Sequence, residues 1–122
     1  MQTAIRILLV EDDDGLREAL HDILSMGGYT VLDCADGAAA LTRLEREPVQ
    51  LILSDVRMAP MDGHTFLREA KQSHPQIPLL LMTAYGTIAQ AVDALQHGAA
   101  DYLVKPFDAQ TLLDKVAQFA MP

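Results

Sequence analysis

Short apolar runs alternate with amphipathic stretches from one end of this chain to the other, and that alternation leaves few folds open. Compact apolar runs bounded by turn residues read as strands buried on both faces, whereas the stretches between them carry apolar residues at helical spacing. Repeated strand-helix units of this kind build a parallel sheet covered by helices on both sides. Five units fit. The expected fold class is α/β, a five-unit doubly wound parallel sheet of flavodoxin-like type. With 122 residues, half of them apolar, it forms one domain over 1–122, with no internal boundary, linker or low-complexity segment.

Taken in order, a strand over 5–10 is followed by a helix with Leu16, Leu20, Ile23 and Leu24 on one face, stopped by Gly27-Gly28. Thr30 to Cys34 is the second strand. Asp36 caps a helix that buries Leu41 and Leu44 and ends before Pro48. The third strand is Leu51 to Asp55, and the helix after it, near 64–73, turns Phe66, Leu67 and Ala70 inward. A fourth strand covers 79–82. The fourth helix, near Ile88 to Gln96, carries Ile88, Ala91, Val92 and Leu95 on one side; being rich in alanine, it is expected to be lightly anchored. The last strand, Asp101 to Val104, leads into a helix near 108–120 with Leu112, Leu113, Val116 and Ala120 facing in.

Four of the strands run into polar side chains: the first into Glu11-Asp12-Asp13-Asp14, the third into Asp55, the fourth into Thr83 and the fifth into Lys105-Pro106. Each has an ordinary reading alone, as a solvated helix start, a cap or a surface charge. In an open parallel sheet, however, all carboxyl ends lie along one edge, and ligands collect where the strand order reverses. Glu11, Asp12 and Asp55 are then neighbours, and three carboxylates so close repel by several kcal/mol unless a cation intervenes. Oxygen ligands without a nearby Cys or His pair favour a hard ion, Mg²⁺, which leaves positions open for phosphoryl oxygens. Lys105 adds a fixed positive charge and Thr83 a hydroxyl donor. The set reads as a phosphoryl pocket in which Asp55 attacks phosphorus and becomes an acyl phosphate.

In their order and spacing, Val10-Glu11-Asp12-Asp13, Ser54-Asp55 with Met61-Asp62-Gly63, Met82-Thr83-Ala84 and Asp101-Tyr102-Leu103-Val104-Lys105-Pro106-Phe107 resemble the receiver domain of two-component response regulators over essentially the whole chain. The resemblance implies phosphorylation of Asp55 by a histidine kinase. It implies Mg²⁺ held by Asp12, Asp55 and the main-chain carbonyl of Arg57, with Glu11 acting through water, and a cis bond before Pro106 that aims Lys105. It also implies a switch in which Thr83 is recruited to the phosphoryl group and Tyr102 turns inward, altering the face of the fourth helix and fifth strand, where dimerisation or docking is expected. Arg57 and Tyr85 fall at the positions that flank the attacking water and would tune the acyl-phosphate lifetime.

The segments Ser54-Asp55-Val56-Arg57-Met58 and Met82-Thr83-Ala84-Tyr85-Gly86 are similar to NtrC-type receivers, flagellar regulators among them. In that type the receiver is the amino-terminal part of a longer activator with a sigma-54-contacting ATPase and a DNA-binding domain. Those activities are not expected of these residues, and the chain itself is expected to be a signal-relay domain rather than an enzyme. One departure stands out: where the family usually has Met-Pro, this chain has Met58-Ala59-Pro60, so the loop beside the metal is expected to take a different path.

The formal net charge of −8 argues against direct contact with nucleic acid. A lone Cys34 in an apolar stretch suits a core position and a reducing compartment, and no apolar run approaches membrane-spanning length, so a cytoplasmic location is expected. A flavin carrier of the same topology would need a Ser/Thr/Gly-rich phosphate loop where this chain has acids. An aspartyl phosphatase would have a second aspartate where Arg57 stands. A receiver-like interaction module that is never phosphorylated would not require the acids, Thr83 and Lys105 together. His21, His64, His74 and His97 lie on different elements without ligand spacing and are expected at the surface, with Met58 and Met61 in packing roles.

Overall fold

The computed structural model describes residues 4–84 and 88–120. Strands and helices alternate strictly: β1 (Arg6–Val10), α1 (Asp14–Met26), β2 (Thr30–Cys34), α2 (Gly37–Arg46), β3 (Leu51–Asp55), α3 (Gly63–Ser73), β4 (Leu79–Thr83), α4 (Ile88–Gln96), β5 (Asp101–Val104) and α5 (Ala109–Phe119). All pairings are parallel, in the order β2-β1-β3-β4-β5. The chain reverses its direction of travel across the sheet between β1 and β3, and the crevice at their carboxyl ends is where such a fold collects ligands.

The period-two alternation of the strands divides the core in two. Ile7, Leu9, Leu51, Leu53, Leu80 and Met82 face α1 and α5, where Leu20, Leu24, Leu112 and Val116 meet them. Their neighbours Leu8, Val10, Ile52, Leu79 and Leu81 face the other way, against Leu44 of α2, Phe66 and Leu67 of α3 and Ala94 of α4. At roughly 1.5–3 kcal/mol for each large aliphatic side chain withdrawn from water, this two-sided burial is the main force holding the sheet. Every residue of β3 and β4 is buried.

Aspartate starts four of the helices. Asp13, Asp36, Asp62 and Asp108 each accept a hydrogen bond from the main-chain N–H three residues on, at 2.7–2.9 Å, a cap that contributes about 1 kcal/mol. The turn after α1 uses Gly28 at φ +98, a conformation that glycine adopts without strain. Cys34 is buried, and Met58 and Met61 pack with the core.

On α4 the apolar side read from the sequence is not the one packed most closely on the sheet. Ala94 is fully buried, whereas Val92 and Leu95 are 47% and 46% exposed. The helix approaches the sheet through its small side chain, which rolls the bulkier Val92 and Leu95 to the flank. The face of α4 beside β5 is therefore apolar and open, with Val104 also exposed.

Candidate functional site

Main-chain bonds carry the sheet past its strand ends and so fix where the site residues leave the backbone. The Glu11 N–H donates to the Cys34 carbonyl at 3.0 Å, Val56 N–H to Met82 at 2.9 Å, and Lys105 N–H to Thr83 at 2.7 Å. Beneath Asp55, α3 begins against the strand itself. The Gly63 N–H donates to the Val56 carbonyl at 2.7 Å, and a β-carbon at Gly63 would come within 2.6 Å of the Val56 Cα and closer still to the Asp55 carbonyl oxygen. Only glycine lets α3 start there.

At this rim Glu11, Asp12 and Asp55 each bring a carboxylate oxygen within 4.8 Å of the others. Asp12 is exposed, whereas the side chains of Glu11 and Asp55 are 1% and 9% exposed. The Lys105 ammonium lies between the two buried acids, 3.1 Å from Glu11 Oε1 and 3.2 Å from Asp55 Oδ1. Glu11 Oε2 also accepts from the Asp13 N–H at 3.2 Å, and Asp55 Oδ1 from the Val56 N–H at 3.0 Å. Both hydrogen bonds to the Asp55 carboxylate among the described residues thus go to Oδ1 rather than Oδ2.

Burial pushes the Glu11 carboxyl above the usual range, the charge of Asp55 adds to this, and the Asp13 N–H and Lys105 oppose it. For Lys105, burial pulls downward, but the bonds and charges of Glu11 and Asp55 outweigh it and hold the ammonium above its ordinary value. One cation thus stands against three acids, a set that fits a further hard cation with oxygen ligands.

Thr83 ends β4 with 2% exposure. In the neighbouring β5, Tyr102 packs against the core, and its hydroxyl is buried without a well-formed hydrogen bond among the described residues. Burial raises its pKa, the adjacent Thr83 side chain acts in the opposite sense, and the charge of Asp55 reinforces the rise.

Comparison with known proteins gives this rim a family. A family model described as the response regulator receiver domain matches residues 7–117. The chain belongs to the response regulator receiver family. This receiver is 52% identical over 118 residues to the response regulator protein FleR of Pseudomonas aeruginosa, covering 97% of this chain and 25% of that protein. It is 42% identical over 108 residues to the DNA-binding transcriptional regulator NtrC of Escherichia coli, covering 88% of this chain and 23% of that one, so the NtrC-type likeness holds. Among solved structures, the chemotaxis protein CheY4 of Vibrio cholerae superposes with a TM-score of 0.92 at 28% identity, covering 96% of this chain and 99% of that one. The receiver spans about a quarter of the length of these curated relatives.

Of the receiver residues expected from sequence, Glu11, Asp12, Asp55 and Lys105 meet at one point, and Thr83 adjoins Tyr102. The Lys105–Pro106 bond is cis, and the displaced proline follows a second cis bond, Ala59–Pro60. Arg57 is exposed in the loop after β3. Tyr85 lies outside the described residues. Sequence reasoning singled out Glu11 and Asp12 among the acids after β1 and gave the other two no role of their own: Asp13 caps α1, and Asp14 pairs with Arg17 at 2.6 Å. Gly63 had been noted only as part of a motif. Among the described residues no helix is long and apolar enough to cross a membrane.

Proposed function

We propose that this receiver accepts a phosphoryl group on Asp55 from a histidine kinase, with Mg²⁺ held by Asp12, Asp55 and the Arg57 main-chain carbonyl and with Glu11 acting through water. The observation that carries the reading is the convergence of three carboxylates within 4.8 Å beside an ammonium already bonded to two of them. Oxygen-only donors suit Mg²⁺, which keeps several waters and needs few protein ligands. When bound, the ion supplies charge neutralisation on the phosphoryl oxygens. The chain's own part is positional. Asp55 Oδ2 attacks phosphorus in line with the donor imidazole, the P–N bond breaks with its electron pair going to that ring, and the Lys105 ammonium faces a phosphoryl oxygen.

Once formed, the phosphoryl group adds negative charge and acceptor oxygens, and the Thr83 hydroxyl donates to one of them. Tyr102, already inward and beside Thr83, couples that movement to the β5 edge. The exposed Val92, Leu95 and Val104 support the α4 and β5 face as the surface that responds, including a homodimer contact. Arg57 and Tyr85 tune the lifetime of the acyl phosphate. In this reading residues 1–122 are the cytoplasmic amino-terminal receiver of a longer sigma-54-dependent activator with a flagellar role. ATP hydrolysis and DNA binding belong to its other domains.

Mass spectrometry after incubation with acetyl phosphate and Mg²⁺ tests the central step. A gain of one phosphoryl group that is lost in Asp55→Asn supports it. The same gain in both proteins sinks it.

A further inference from the structure

The loop between β1 and α1 holds two of the three clustered carboxylates, yet they are held very differently. Glu11 is buried and bonded to Lys105 and to the Asp13 N–H. Asp12 is exposed, and among the described residues its carboxylate makes no hydrogen bond or ion pair. Its direction must therefore come from the main chain. The peptide joining Glu11 to Asp12 is a rigid plane, so whatever holds the Glu11 carbonyl also places the Asp12 nitrogen and Cα and narrows the directions in which Asp12 leaves the loop. On its amino side the Glu11 N–H is tied to Cys34 at 3.0 Å. On its carboxyl side the carbonyl accepts from Arg17 Nη1 at 2.8 Å.

Arg17 is suited to hold that plane. Its Nη2 pairs with Asp14 at 2.6 Å, so the guanidinium ties the Glu11 carbonyl to the first residue of α1, while its main-chain N–H donates to the Asp13 carbonyl at 2.9 Å as part of the helix. Its side chain is only 20% exposed. A planar fork bonds two acceptors at a set angle, which a lysine ammonium on a flexible stem does not reproduce.

We propose that Arg17 is a positioning residue for the metal ion, its guanidinium holding the Glu11 carbonyl so that the otherwise unpartnered Asp12 carboxylate stays turned toward Asp55. The inference rests on the metal-site reading of the cluster. It makes a prediction against simple electrostatics: deleting a positive charge near a cation site should tighten Mg²⁺ binding, whereas loss of the clamp weakens it.

Calorimetric titration of the whole chain with MgCl₂ decides between them. In Arg17→Met the Mg²⁺ affinity falls roughly tenfold, the lower end of what loss of a supporting group costs a metal site. Arg17→Lys recovers part of the loss. Asp36→Ala removes a helix cap at another loop, so it lowers stability and leaves the affinity unchanged. Should Arg17→Met fail to fold by circular dichroism, Arg17→Gln, also neutral and too short to span both acceptors, is read in the same way. Equal or tighter Mg²⁺ binding in the neutral variant, with the wild type binding normally, overturns this inference alone. A wild type that binds no Mg²⁺ overturns the metal-site reading and the inference with it.

Discussion

Replacing Lys105 with methionine keeps most of the side chain's bulk and removes the ammonium bonded to both Glu11 and Asp55. At 3.1 and 3.2 Å each contact has a gross attraction of about 5 kcal/mol at an effective dielectric of ~20. The cost of drawing the ammonium out of water cancels much of that. Breaking a buried pair costs about 3–5 kcal/mol, and the 19% exposure of Lys105 points to the lower end. In metal-free protein at pH 7, Lys105→Met is therefore expected to lose about 3 kcal/mol, a fall of roughly 10 °C in the unfolding midpoint.

Most of that loss is the penalty of an unmatched Glu11, so Lys105→Met/Glu11→Gln should recover at least half of it. The deficit also depends on pH in a fixed sense. Burial already raises the Glu11 carboxyl, and loss of the ammonium raises it further, so the folded variant binds more protons than the unfolded chain. Its stability then falls as pH rises from the ordinary carboxylate range through the raised folded value, and the gap to wild type widens toward neutrality. A saturating divalent ion narrows the gap, because the ion no longer competes with the ammonium. Lys115→Met, which breaks the half-open pair with Asp101, serves as control and should cost less than about 1 kcal/mol. Urea unfolding in EDTA, followed by circular dichroism, measures all four proteins. If Lys105→Met lies within 1 kcal/mol of wild type and the double variant gains nothing, the ammonium does not neutralise the acids and the electrostatic account fails.

Gly63→Ala should destabilise the fold by roughly 2–3 kcal/mol because the methyl group meets the backbone of Asp55 and Val56; an unfolding midpoint equal to wild type would contradict the close approach. Asp62→Ala should cost about 1 kcal/mol at pH 7 through loss of the α3 cap. The bond from Thr65 N–H holds the Asp62 carboxyl below its usual value, so this contribution is present above the unfolded value and lost as pH falls through the folded one. Parallel unfolding curves of Asp62→Ala and wild type at every pH would count against it. Tyr102→Phe removes a buried hydroxyl that lacks a well-formed bond and should leave stability unchanged or raise it by up to about 1 kcal/mol; a clear loss would mean that the hydroxyl is satisfied.

At the centre of the sheet the strands were legible because two-sided burial leaves compact apolar runs such as Leu51–Asp55; the edge strands Thr30–Cys34 and Asp101–Val104, partly exposed and mixed in character, were placed by their position between helical stretches and lie where that alternation predicts. The site was legible for a related reason, since parallel strands bring every strand end to one edge. What escaped was information that periodicity does not carry. In α4 the spacing sets Ala91, Val92 and Leu95 on one side, but packing chose the direction of Ala94 instead, and a preference set by how close a helix can approach leaves little trace in spacing. Which of Asp13 and Asp14 caps α1 was hidden, because like residues in a row differ only in where their oxygens end up.

The strands at the centre of the sheet are roofed on both sides, and Asp55, at the end of one of them, is 6% exposed. Among the described residues the packed layers cover the flanks of this acid, and a flat partner laid over the rim would stop short of it. If Asp55 is the acceptor proposed above, the opening suits a donor that enters end-on, either a small molecule or the tip of a projecting side chain, and its shape screens donors before any chemistry begins.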